Sequence, residues 1–107
     1  MAKYLFIESR DPFEFTDVKQ TWDLAANLAG KGNDVAMFLV QNGVLAGRKN
    51  ARVSTMGDLS SVRVYADDLS LEERAIPRES VRNGIKVAGI DALTDLIMED
   101  GRKPIWI

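Results

Sequence analysis

The stretch Val62-Arg63-Val64-Tyr65-Ala66-Asp67-Asp68-Leu69-Ser70-Leu71-Glu72-Glu73-Arg74-Ala75-Ile76-Pro77 decides the architecture. Val62 to Ala66 is rich in branched and aromatic residues and reads as a strand. Two adjacent carboxylates follow, and behind them a helix that Pro77 halts, because its ring disfavours the helical conformation in Ile76. A strand that passes straight into a helix is the repeating unit of a parallel sheet covered by helices.

Upstream the same alternation holds. Tyr4-Leu5-Phe6-Ile7 is a continuous apolar run, suited to a strand buried on both faces. Asp11-Pro12-Phe13-Glu14 carries helix-start signals, with Thr16 as a later cap, so a helix is predicted to begin between Asp11 and Thr16. Phe15, Val18, Trp22, Ala25 and Ala29 fall at helical spacing, Leu24 and Leu28 widen the stripe, and Gly30 and Gly32 end it. Asp34 to Val40 is a second buried strand, and Gln41-Asn42-Gly43 is a turn at its carboxyl end. Val44 to Arg48 reads as a short helix, and the weak pattern from Lys49 to Ser61 allows a further helical turn.

Downstream, Ile85 to Ala88 is a fourth strand after the Asn83-Gly84 turn. Asp91 is placed to cap a last helix in which Leu93, Leu96, Ile97 and Met98 face inward, and Gly101 terminates it. Pro104 to Ile107 closes the chain as a fifth strand, with Pro104 at its first residue, where the missing donor matters least. The expected architecture is a three-layer α/β/α sandwich around a mostly parallel five-stranded sheet, flavodoxin-like in plan, with residues 1–107 forming one domain.

Composition narrows the chemistry. A length of 107 residues, 46% of them hydrophobic, supports one core and is too short for two domains. A formal net charge of -2 gives no field for drawing in nucleic acid or an anionic membrane. The first apolar run is cut short by Glu8, so it lacks the form of a secretory signal, and no stretch reaches the length of a membrane span. A cytoplasmic protein without nucleic-acid or membrane partners is expected. The sequence contains neither cysteine nor histidine, which removes thiol nucleophiles, thiolate zinc sites and imidazole bases together. No cofactor or metal is implied.

Ligand sites in open parallel sheets lie outside the carboxyl ends of the strands. Here that rim holds Glu8, Ser9 and Arg10, then Asn42 and Gly43, then Asp67 and Asp68, with Glu72 one helical turn further on. Asp67 or Asp68 as a helix cap is the plainest role, contributing about 0.5–2 kcal/mol. A second is a carboxylate-dependent enzyme or cation site built from Asp67, Asp68 and Glu72. Partner recognition by an anionic turn is a third, and a free-standing flavodoxin-like interaction module fits the same plan. The basic run Arg48-Lys49-Asn50-Ala51-Arg52 reads as a solvated loop, and Trp22 and Trp106 as core or subunit-interface packing. Gly30-Lys31-Gly32 follows a helix instead of opening one, so it is not a phosphate loop.

Several of these segments together resemble a known family. Phe38-Leu39-Val40-Gln41-Asn42-Gly43-Val44, Val62 to Ile76 with its Arg74-Ala75-Ile76 close, and Asn83-Gly84-Ile85-Lys86-Val87 followed by Asp91-Ala92-Leu93-Thr94-Asp95-Leu96 are similar to the DsrE/DsrF/DsrH sulfur-relay family, which includes the Tus proteins of tRNA thiolation. Active members carry sulfur as a persulfide on a cysteine at the turn before the helix. Seven residues before Arg74, the matching position here is Asp67. The family closes this helix with Arg-Gly-aliphatic, where this chain has Ala75. The resemblance implies a DsrE-like fold and a homo-oligomer, either trimer or hexamer, or a hetero-oligomer with other DsrE-like subunits. It further implies a sulfur-carrier protein as partner and a noncatalytic role in intracellular sulfur transfer, since an aspartate cannot hold sulfur.

Overall fold

The computed structural model describes residues 1–51 and 60–107. Five strands, β1 (Lys3–Glu8), β2 (Asp34–Leu39), β3 (Arg63–Asp67), β4 (Ile85–Ala88) and β5 (Arg102–Trp106), form one sheet in the order β4-β3-β2-β1-β5, every pairing parallel. Parallel neighbours need crossovers: helices α1 (Val18–Gly30), α2 (Asp68–Glu73) and α3 (Ile90–Met98) supply those after β1, β3 and β4, and the connection from β2 to β3 opens with the 3₁₀ segment Gln41–Gly47. This is the expected α/β architecture, with all five strands parallel.

The sheet divides the core in two. On one face Phe6, Met37, Leu39 and Val64 meet Val18, Trp22 and Ala25 of α1 and Leu71 of α2, together with Val44 and Ala46. On the other, Leu5, Ile7, Ala36, Phe38 and Val40 meet Leu93 and Leu96 of α3, and Phe38 stacks on Tyr65 at 5.5 Å. Removing each large side chain from water is worth roughly 1.5–3 kcal/mol, so Trp22, Phe6 and Phe38, all essentially inaccessible, anchor their layers. Among the described residues no helix is long and apolar enough to cross a membrane.

Several elements differ from the sequence expectation, each for a local reason. The signals at Asp11 do cap a turn, with Asp11 Oδ1 accepting from the Phe13 N–H and the Asp11 carbonyl from Glu14 and Phe15, but the chain restarts and α1 begins only at Val18. Phe15 lies outside the helix, and it and Leu24 are exposed. The expected helix at Val44–Arg48 is instead a 3₁₀ segment, Gln41–Gly47. The expected turn between Lys49 and Ser61 falls mostly on residues 52–59, outside the described residues.

At the other end of the chain, β5 starts at Arg102 rather than Pro104. Pro104 is tolerated mid-strand because β5 is an edge strand whose inward hydrogen bonds come from the odd positions, as the bond from Ile107 N–H to the Ile7 carbonyl shows. Gly89, not Asp91, occupies the α3 N-cap, and Ile97 and Met98 are exposed, not inward. Arg48 is more than a solvated loop residue. Its guanidinium donates to the Leu45 carbonyl (2.9 Å) and lies over the Phe13 ring, while Arg82 returns a bond to the Arg48 carbonyl (3.1 Å).

Candidate functional site

The carboxyl ends of β1, β2 and β3 bring together most of the rim residues singled out above. Asp67 is the last residue of β3 and the N-cap of α2, with an extended backbone. Its Oδ2 accepts two hydrogen bonds from Ser70, one from the backbone N–H (3.0 Å) and one from the hydroxyl (2.6 Å). The buried Ser70 hydroxyl in turn accepts from the Gln41 N–H at 2.8 Å. A polar relay therefore ties the end of β3 to the turn after β2, and it holds Gln41 at φ 51, in the left-handed region.

Arg74 completes this side of the rim. Its Nε donates to Asn42 Oδ1 (3.0 Å), tying the end of α2 to the Gln41–Gly43 turn, while its Nη1 donates back to the Ser70 carbonyl of α2 (3.1 Å) and steadies the guanidinium. The helix then closes in a Schellman arrangement, with Ile76 N–H donating to the Leu71 carbonyl and Ala75 N–H to Glu72. Ala75 adopts φ 53 there, a conformation usually given to glycine, and Ile76 packs into the same core cluster as Leu71. The helix thus ends at Glu73 through its own carbonyls, ahead of Pro77.

In the sequence Gly43 reads as a turn residue; in the fold its role is close approach. Its φ is not positive; instead, a Cβ at this position would overlap the Glu8 carbonyl oxygen, because the turn lies directly on the end of β1. Glu8 is fully buried. Its Oε2 accepts from the Arg10 N–H (3.2 Å) and Nε (3.4 Å), and Oε1 has no partner among the described residues. Arg10 reaches on to Asp17 (2.6 Å) and Thr21 (3.5 Å) of the α1 approach. Burial works against the Arg10 charge, yet the hydrogen bonds to Asp17 and Glu8 outweigh it, so its pKa stands above the ordinary guanidinium value. Ser9 is fastened to the chain end, its N–H and hydroxyl both donating to the Ile107 carbonyl.

The two aspartates do not act as a pair. Asp67 turns toward Ser70 and β2, whereas the Asp68 carboxylate lies 3.2 Å from where a Gly89 Cβ would stand, on the β4 side. Asp68 and Glu72 line a shallow cavity of about 240 Å³ with Leu71, Ile76, Pro77, Arg78 and Val87. Among the described residues no group of three or more acidic side chains is placed to hold a metal ion. Ser70, which joins two strands through one hydroxyl, was not singled out from the sequence; its only signal there is a hydroxyl three residues after a capping acid.

Parallel strand order, helix placement and rim together define a flavodoxin-like α/β protein of the DsrE-like fold. The chain superposes on the ychN protein from E. coli with a TM-score of 0.83, at 17% identity over 98% of this chain and 100% of that one. It superposes equally well on MTH1491 from Methanobacterium thermoautotrophicum, described as a protein of unknown function, with a TM-score of 0.82 at 18% identity over the full length of both. No protein-family model matches the chain, and no curated protein matches it in sequence.

Proposed function

We propose that the protein is a noncatalytic DsrE-like subunit of an intracellular, cytoplasmic sulfur-relay assembly, acting as an oligomer subunit or docking partner. The observation that carries this reading is the state of Asp67. It occupies the position where the resembled family keeps its sulfur-carrying cysteine, and its carboxylate is engaged by the Ser70 N–H and hydroxyl. An acid held in that way presents charge and shape at the rim and has no sulfur atom to load. The shared fold with the ychN protein supports the frame, and the turn, the relay and the Arg74 clamp support a rim built to hold one shape. Its partners are copies of itself, related DsrE-like subunits or a sulfur-carrier protein that meets the Asp67 rim.

The same donors suggest the test. A sulfur atom in place of the carboxylate would face the Ser70 N–H and hydroxyl, groups that favour a thiolate and so lower a thiol's pKa. Incubated with a persulfide donor and examined by intact-mass spectrometry, the native chain should gain no covalent sulfur, while Asp67→Cys should gain it. Sulfur on the native chain would overturn the noncatalytic role. An Asp67→Cys chain that is folded and stays unloaded would overturn the positional match.

A further inference from the structure

The two faces of the sheet are unequally covered. Among the described residues one carries α1, α2 and the Gln41–Gly47 segment, whereas the other carries α3 alone, seated over the central strands through Leu93 and Leu96. On that second face the outer strand β5 is left open. The register Leu5↔Pro104 and Ile7↔Trp106 puts Pro104 and Trp106 on the same side as the α3 cluster, and both are exposed, Trp106 at 65%.

The outer surface of α3 continues this opening. Ile90, Ile97 and Met98 are 67%, 39% and 76% exposed, and their spacing places them along one stripe of the helix with Thr94 between them. The helix runs antiparallel to the strands, from the carboxyl end of β4 to the amino end of β5, in a right-handed connection. With Leu93 and Leu96 facing the sheet, that sense of rotation turns Ile90 and Ile97 toward β5 and Asp95 toward β4. An apolar trough thus lies between the helix and Trp106, with the acids on its far side.

We propose that this trough is the contact surface between two copies of the chain, with the α3 of one copy lying beside the α3 of the other. Three observations choose that occupant. The exposed side chains offer on the order of 500 Å² of apolar surface, which is about the apolar share of one side of a standard interface. Among the described residues the face carries one helix, which leaves β5 uncovered, and a second α3 brings an outward apolar stripe of its own, so a two-fold arrangement covers both stripes at once. Pairing through the neighbouring strand edge is blocked, because the even positions of β5 point their backbone outward and Pro104, in the middle, has no N–H to give.

This deepens the oligomer part of the role proposed above and rests on it, but the experiment separates the two. Light scattering at tens of micromolar should give the native chain a mass of at least twice 11.9 kDa. Ile97→Glu with Met98→Glu should weaken association at least tenfold with an unchanged circular dichroism spectrum, while Leu24→Glu on the exposed side of α1 should leave the mass unaltered. Because the chain has no cysteine, Thr94→Cys gives an independent readout: mild oxidation should link two copies through the middle of paired α3 helices. A monomeric native chain would overturn this surface and the oligomer role together. An assembly that survives the α3 substitutions, or that Thr94→Cys fails to link, would overturn this surface alone.

Discussion

The two ends of the sheet are built from different materials. At the amino end the residues with left-handed backbone, among those described, are glycines, Gly32, Gly84 and Gly101, each just before a strand and each free of strain. Toward the carboxyl rim the corresponding residues are Gln41 and Ala75, in the turn after β2 and at the close of α2, and both carry a side chain in a conformation that penalises one. The charged groups differ likewise. Arg102, its side chain fully buried, donates to the carbonyls of Tyr4 and Asp34 (3.0 Å each), to the Asp34 carboxylate and to Glu99 (2.9 Å), and so fastens β5, β1 and β2 from beneath. At the rim, Asp67 and Ser70 bind a turn in a strained shape. One end holds the sheet together, and the other spends part of that stability on a surface of fixed form.

Removing Arg102 is the largest break in this comparison. Arg102→Met takes a donor from two carbonyls and from Asp34 and Glu99, of which Asp34 keeps Arg63 and Glu99 keeps Lys3, and losing charge-assisted hydrogen bonds of this kind costs about 1.5–3 kcal/mol. Urea denaturation should show that loss, a large part of a small domain's stability. The same group sets the acid response. The Asp34 carboxyl is held below its ordinary value of 3.8 chiefly by the hydrogen bond from Arg102, and Glu99 below 4.5 by Lys3 and then Arg102. Both are depressed in the folded chain, so their stabilisation is complete above those ordinary values and is lost as pH falls through the lowered ones. The native melting temperature should therefore drop on acidification below about pH 4.5, and Arg102→Met should flatten that drop. An equally steep drop in the variant would place the acid-sensitive groups elsewhere.

The sequence shows the frame of this comparison and hides its fastenings. Continuous apolar runs at Tyr4–Ile7, Asp34–Val40 and Val62–Ala66 announce buried parallel strands, because only a sheet covered on both faces can spare alternation. Asp67 as a cap was legible, since a cap and its helix are neighbours in the chain. Arg102 was not, because a basic residue beside Gly101 and Lys103 looks like surface until β1 and β2 close over it. The relay from Ser70 to Gln41 and the Arg74 clamp to Asn42 span residues far apart in sequence, and no local pattern encodes them. The stripe on α3 misled for a different reason. Periodicity reports that Leu93, Leu96, Ile97 and Met98 are apolar, not which of them meets this sheet, and Ile97 and Met98 look the other way.

The rim's fixed form can be broken by a single methyl group. In Gly43→Ala the new Cβ overlaps the Glu8 carbonyl, which also accepts the Val40 N–H at 3.0 Å, so the turn must lift from β1 or that bond must lengthen. Overpacking of this kind costs about 1–3 kcal/mol. Gly30→Ala, at a site with open space around it, should cost nothing measurable or should stabilise the helix end. Equal losses from both substitutions would mean that the close approach at Gly43 does not constrain the rim.

The smallest effect sharpens the comparison in the opposite direction. Ala75 stands at the left-handed position of a complete Schellman close, with both of its backbone hydrogen bonds made and Ile76 seated against the core. The only fault at that site is the methyl group itself, so Ala75→Gly should raise stability. The gain will be modest, about 0.5–1 kcal/mol, because the relief of left-handed strain is partly offset by the greater freedom of glycine in the unfolded chain. Arg74→Ala gives the necessary contrast, since it keeps the strain and removes the clamp on Asn42 and Ser70, and should lower stability. If Ala75→Gly gives no gain in chemical denaturation, the left-handed residue costs nothing in this setting, and the carboxyl side of the sheet is no more strained than the glycine-turned amino end.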